Sequence, residues 1–190
     1  MESSNTLYEA NDNTRRESVI EKMKENDNWI VNDYRNFIKS LNRSQFKAFL
    51  TPYTFDDFKQ GNINTYKLKG YNIGFALKRN PNSKSVEIIS VHNNEPNVKG
   101  ISEHLLNVAK SFGGNCLDHF DGKLSHIYQR NGFEEYDRWK WNDNYAPKEW
   151  DYEKYGRPDV VFRRLKESKE FVNLKNSLKT LEKHAQRSRL

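Results

Sequence analysis

Residues 86–133 read VEIISVHNNEPNVKGISEHLLNVAKSFGGNCLDHFDGKLSHIYQRNGF, and their order of strand, turn, basic helix, strand and helix decides the fold. Val86, Ile88, Ile89 and Val91 form a β-branched run long enough for one buried strand. Asn93-Asn94-Glu95-Pro96-Asn97 is turn chemistry, because Pro96 has no N–H with which to continue a central ladder. Val98, Ile101, Leu105, Val108 and Ala109 then recur at helical spacing as far as Gly113-Gly114, a fitting helix stop. A second apolar run, Cys116 to Phe120, precedes another helical pattern through Leu124, Ile127 and Tyr128. The helix expected over 98–112 carries the chain between these strands as a right-handed crossover, so the pair is expected to be parallel. Free amides at that helix's start, beside Lys99 and Gly100, form a place for a phosphate.

Working outward, Thr65–Lys69 and Tyr71–Lys78 read as strands around a turn at Gly70, and Arg79 to Ser83 turns the chain into the Val86 strand. That makes an antiparallel meander ahead of the basic helix. Glu134–Trp141 and Asp159–Leu165 supply two further strands. Upstream, residues 1–13 are polar, unpatterned and expected to be poorly ordered. Arg15–Leu41 reads as two helices parted at Asn26-Asp27-Asn28, and Ser44 opens a short helix carrying Phe46, Phe49 and Leu50. Thr54 and Asp57 resemble a capping box opening Phe55–Gln60, with Gly61 just past its end. In the tail, Phe171, Leu174, Leu178, Leu181 and Ala185 mark a basic helix that packs on its own domain or meets a partner. The expected organisation is a tail at 1–13, a helical region at 14–63, a core domain at 64–165 and a C-terminal helix at 166–190.

A core is within reach of 190 residues even at 35% hydrophobic content and a mean hydropathy of −1.04, because 13% of the residues are aromatic. The net charge of +6 favours anionic partners, with a lysine-rich solvated surface as the plain alternative. A single cysteine, Cys116, excludes an internal disulfide and reads as a packed thiol. His104, His126 and His184 show no zinc spacing, and no metal is expected. The start Met1-Glu2-Ser3-Ser4-Asn5 is not a signal region, and no apolar run approaches the ~20 residues that span a bilayer. The expected compartment is the cytoplasm.

The ordered motifs resemble the core of the GNAT superfamily of acyl-CoA-dependent N-acetyltransferases, in the divergent form that phages and prophages encode. In that family a strand runs into a loop of pattern Gln/Arg-x-x-Gly-x-Gly/Ala, whose amides wrap the pyrophosphate of acetyl-CoA. Asn97-Val98-Lys99-Gly100-Ile101-Ser102 fits, with Asn97 where Gln or Arg is usual and Ser102 where Gly or Ala is usual. The second signature, Tyr-x-x-x-Gly-Phe, is met in full by Tyr128, Gly132 and Phe133. Upstream of that tyrosine, Asp121 and Leu124 stand where Asn and Ala are frequent. The resemblance spans roughly Asn64 to Leu165 and implies an α+β fold, a GNAT-like mixed central sheet flanked by helices. Here it carries extra N-terminal helices and the basic C-terminal helix. It also implies acetyl-CoA held by Val91, Lys99, Gly100, Ile101 and Ser102, an amine acceptor, and Tyr128 as proton donor to the departing thiolate.

Such a transfer needs a proton acceptor for the amine, donors for the thioester carbonyl and a proton for the thiolate. Backbone N–H groups on the Val86–His92 strand suit the carbonyl where the parallel strands splay apart. His92 and His119 are the candidate bases, since an imidazole titrates near pH 6.5. Glu87 is a third candidate that alternation turns away from the cleft. Each histidine also reads as a packed or solvated ring, and Tyr128 as one packed on the sheet. Trp139–Asp159 interleaves tryptophans and tyrosines with cations, which suits an acceptor lid, a protein-partner surface or rings covering the sheet edge. Stacking of single-stranded bases is the remaining reading there, and nucleic acid is not the expected partner. The rival to a transferase is a GNAT-like fold of phage origin that binds a host or virion partner without catalysis. Asn97, Ser102 and Asp121 favour it.

Overall fold

The computed structural model describes residues 2–166, with side chains from residue 11 onward. Three strands, β2 (Ile63–Leu68), β3 (Ile73–Arg79) and β4 (Val86–Asn93), form the expected antiparallel meander. The turn at Gly70 has φ +80°, a conformation glycine adopts without cost. α4 (Ser102–Ser111) then crosses to β5 (Cys116–Phe120), which lies parallel to β4. α5 (Lys123–Arg130) leads into β6 (Phe133–Trp139), and β7 (Val160–Leu165) inserts between β5 and β6. The described residues thus form a seven-stranded mixed sheet in the order β1-β2-β3-β4-β5-β7-β6, flanked by helices.

The first strand, β1 (Trp29–Val31), falls inside the region expected to be helical. Trp29 pairs with Leu68 and Val31 with Tyr66, extending the meander by one edge strand. The aromatic and β-branched triplet Trp-Ile-Val follows a polar break at Asn26–Asn28, and a pairing partner about 40 residues on draws it into the sheet. The division expected at 63/64 is therefore crossed by a strand. α1 (Glu2–Lys24) also starts far earlier than Arg15, since no Gly or Pro interrupts residues 2–24. The helix expected after Ser44 is only a 3-10 turn, Lys47–Phe49. All but the first residue of the helix expected at 166–190 lies outside the described residues.

Two cores sandwich the sheet. On one face Val19 and Met23 of α1 join Leu105, Leu106 and Ala109 of α4 over Phe75, Leu77, Ile88 and Leu117. Ile127 and Tyr128 of α5 pack at the margin of that layer. On the other face Phe37 of α2 (Tyr34–Leu41) and Phe58 of α3 (Phe55–Lys59) cover Ile63, Ala76 and Ile89. α3 is opened by the capping box, with Asp57 N donating to Thr54 Oγ1 at 3.2 Å. Each fully buried Phe contributes about 1.5–3 kcal/mol through removal of apolar surface from water. The aromatic residues thereby compensate for the low hydrophobic content.

Candidate active site

β4 and β5 share a single bridged pair, Glu87 with Cys116. Beyond it the facing edges have no ladder partner, and a gap opens toward the carboxyl ends of both strands. A bulge bends β4 at this place. Gly74 pairs with His92 and Ala76 with Ile89, so Ser90 and Val91 together stand against Phe75. Ser90 takes a φ of +54°.

The loop after β4 is pinned by its own turn residues. Glu95 accepts from Asn72 N at 2.8 Å and pairs with Arg15 at 3.3 Å. Asn94 Nδ2 donates to Ser40 O at 2.7 Å. These anchors present Lys99, Gly100 and Ser102 at the surface, while the Ile101 side chain is buried in the core. Gly100 has φ +71°, and no side chain caps the start of α4. The first-turn amides of a ten-residue helix are thus left for another acceptor. Arg16 of α1 reaches the same place: its Nη2 donates to Gly100 O at 3.5 Å, and its Nε is buried without a partner. A Cβ on Gly100 would sit 3.6 Å from that Nε. A cleft of about 320 Å³ adjoins, lined by Gly100, Ser102, Glu103, Ile127 and Arg130. Its one carboxylate, Glu103, is paired with Arg130 at 2.9 Å. Asp121 does not line it. That carboxylate is occupied by Arg138 at 2.6 Å and Ser125 at 2.7 Å, which hold its pKa down at about 2.

The structure brings Tyr128 and His119 together and sets His92 apart. Tyr128 is half-buried against His119, with ring centroids 4.8 Å apart, and burial pushes its phenol up to about 12. His119 itself is closed on both sides: Nδ1 donates to Phe120 O at 2.8 Å, and Nε2 accepts from buried Arg163 Nε at 2.9 Å. His92 sits under α2 on the opposite face, beside Phe37. Its Nδ1 donates to Ser90 O and its Nε2 accepts from Ser40 Oγ, each at 3.0 Å. Burial lowers its pKa to about 4. Neither imidazole has a nitrogen open to an amine, so the base roles expected for His92 and His119 are not supported.

The group with suitable chemistry is Glu87. Alternation does turn it from the α4 cleft, onto the face that carries Lys78 of β3 and Asp118 of β5. Its carboxyl rises to about 7, through burial first and then the neighbouring Asp118 carboxyl, with Lys78 opposing. Lys78 Nζ lies 3.8 Å from Glu87 and donates to Tyr53 OH at 3.3 Å. The Glu87 side chain remains 31% exposed, so water and solutes reach it. Burial, helped by a neighbouring carboxyl, raising a carboxylate into the neutral range is how a proton acceptor is tuned.

Beside this face, the connection between β6 and β7 builds a satellite aromatic core. Trp150 is 7% exposed, donates from Nε1 to Gly156 O at 2.9 Å, and packs on Phe120, Phe49 and Trp141 at 4.7–5.1 Å. These rings therefore pack over Phe120 of β5 and Phe49, while the edge strand β6 is left largely exposed and Trp139 and Tyr145 stay open. Among the described residues no group of three His, Cys, Asp or Glu is placed to hold a metal ion, and no helix is long and apolar enough to cross a membrane.

No protein-family model and no curated protein matches the chain. Solved structures that resemble it include N-acetylglutamate synthase from Neisseria gonorrhoeae complexed with coenzyme A and N-acetyl-glutamate. The identity is 17% and the TM-score 0.43, over 73% of this chain and 35% of that one. A GNAT family acetyltransferase from Elizabethkingia anophelis with acetyl-CoA bound gives 20% and 0.42, over 74% and 99% of the two chains. A Bacillus subtilis acetyltransferase in complex with CoA gives 16% and 0.42, over 60% and 82%. The chain spans about a third of the length of the synthase.

Proposed function

We propose that the chain is an acyl-CoA-dependent N-acetyltransferase of GNAT type, moving an acetyl group from acetyl-CoA directly to an amine. One observation carries this reading: the parallel pair held at a single bridge opens onto an uncapped helix start, with Gly100 at φ +71° and an unpartnered Arg16 Nε beside it. Amides of Lys99, Gly100, Ile101 and Ser102, with Arg16, fit a diphosphate, and Val91 N–H fits an acyl carbonyl at the gap. Acetyl-CoA supplies an acyl group activated as a thioester.

Glu87 removes a proton from the amine on the opposite face. About 13 Å of strand separates it from Val91, at roughly 3.3 Å per residue, so the proton travels through water. Tyr128 stays protonated across the working pH range and holds a proton for the leaving sulfur. The rival is a phage-type binding protein that keeps the fold without chemistry. The fully engaged nitrogens of His92 and His119 and the exposed Trp139 favour it.

Thiol release from acetyl-CoA across a panel of primary amines separates the two. The transferase reading expects turnover that Tyr128→Phe lowers by roughly 10²-fold at unchanged acetyl-CoA affinity. Equal turnover in that variant would remove Tyr128 from the acid role, and absence of turnover in the native chain would favour the binding protein.

A further inference from the structure

Two separate anomalies meet at Ser90. Its φ of +54° lies in the left-handed region, which a non-glycine residue enters only when its surroundings compel it. Its side chain is 7% exposed, and Oγ is buried with no hydrogen-bond partner. A hydroxyl in that state has lost its water and gained nothing in return. Glycine would relieve both features at once, yet serine stands there.

Among the described residues no other residue combines the two. Asn32 also has positive φ, but asparagine tolerates that conformation and its Oδ1 accepts from Thr65 N at 3.2 Å. Thr65 Oγ1 is likewise buried and unpartnered, but it belongs to β2, flanked by paired strands on both sides and by regular backbone. Ser90 belongs to the bulge, on the strand that borders the open gap with β5. Its backbone carbonyl is already taken by His92 Nδ1, which holds the bulge from the opposite face.

We propose that the Ser90 hydroxyl is a hydrogen-bond donor to the acyl carbonyl oxygen, a side-chain donor beside the backbone N–H of Val91. The proposal rests on the acetyl-transfer reading and adds a residue to it. As the amine nitrogen bonds to the carbonyl carbon and the carbon–sulfur bond breaks, negative charge gathers on the oxygen and then leaves it. Ser90 donates a hydrogen bond throughout and keeps its proton. A donor already stripped of water has no solvent to shed when the charge develops, so its orphaned state in the free protein is what suits it to the task. The strain and the lost solvation are then stability forgone for function.

That account has a signature which a structural serine would not share. In Ser90→Ala and Ser90→Gly, the melting temperature of the unliganded protein is expected to hold or rise, more in the glycine variant. Acetyl-CoA affinity by calorimetry is expected to change little, while kcat falls roughly 10²-fold. Ser90→Cys, with a weaker donor of similar size, is expected to fall between. A melting temperature lowered by the alanine change, or loss of folded protein, would assign the hydroxyl to the fold and overturn the proposal. So would an undiminished kcat in Ser90→Ala when the native chain is active, and that result leaves the transferase reading standing. A native chain that neither binds nor consumes acetyl-CoA overturns both.

Discussion

Glu87→Gln is expected to lower kcat by roughly 10²- to 10³-fold, the range that follows removal of a positioned proton acceptor. Affinity for acetyl-CoA is expected to stay near the native value, because Glu87 faces away from the α4 cleft. The change also has a pH signature. The carboxyl titrates at about 7, so below that pH it holds a proton and accepts no other, whereas above it the ionised form is ready. The native profile of kcat/KM is therefore expected to rise with pH through 7 and then level. Glu87→Gln removes that limb, and Asp118→Asn moves it to lower pH, since the Asp118 carboxyl is one cause of the raised value. A Gln variant that keeps both rate and limb would show that another group takes the proton.

The largest effect on stability is expected from Gly74→Ala. A Cβ at that position would lie 2.6 Å from Tyr66 O, 2.9 Å from His92 Cε1 and 3.2 Å from Phe37 Cε2. The first of these is backbone in the adjacent strand β2, which cannot swing aside without breaking the Tyr66–Phe75 register. His92 cannot retreat either, because Ser40 and Ser90 hold both of its nitrogens. A cost of about 3 kcal/mol is expected, at the upper end for overpacking a filled core, read as a lower urea midpoint. A loss under about 1 kcal/mol would mean that the bulge yields more easily than its contacts indicate.

These two residues also show what the sequence could and could not disclose. Local pattern was enough for the meander, the crossover to β5 and the Tyr128-to-Phe133 ending, because each rests on neighbours a few residues apart. The partners of His92 were not legible: Ser40 lies 52 positions away, and nothing in the periodicity of either segment links them. The same holds for His119, whose Nε2 is closed by Arg163, 44 positions on. A histidine at a strand end therefore looked free when it was not. Glu87 was visible as a candidate, and alternation assigned its face correctly. Only its burial in the folded sheet, and then the approach of Asp118 across the β4–β5 bridge, explain why its carboxyl is raised toward neutrality. β1 escaped because a three-residue strand amid helices has too little pattern of its own, and its pairing with β2 decides it.

Titration calorimetry of acetyl-CoA into the native chain and into Gly100→Glu tests the central claim most directly. The expected result is micromolar binding to the native chain and none to the variant. There a side chain strained at φ +71° brings a negative charge onto the amides at the start of α4. Absence of heat with the native chain at millimolar acetyl-CoA, or equal binding by both chains, would contradict it.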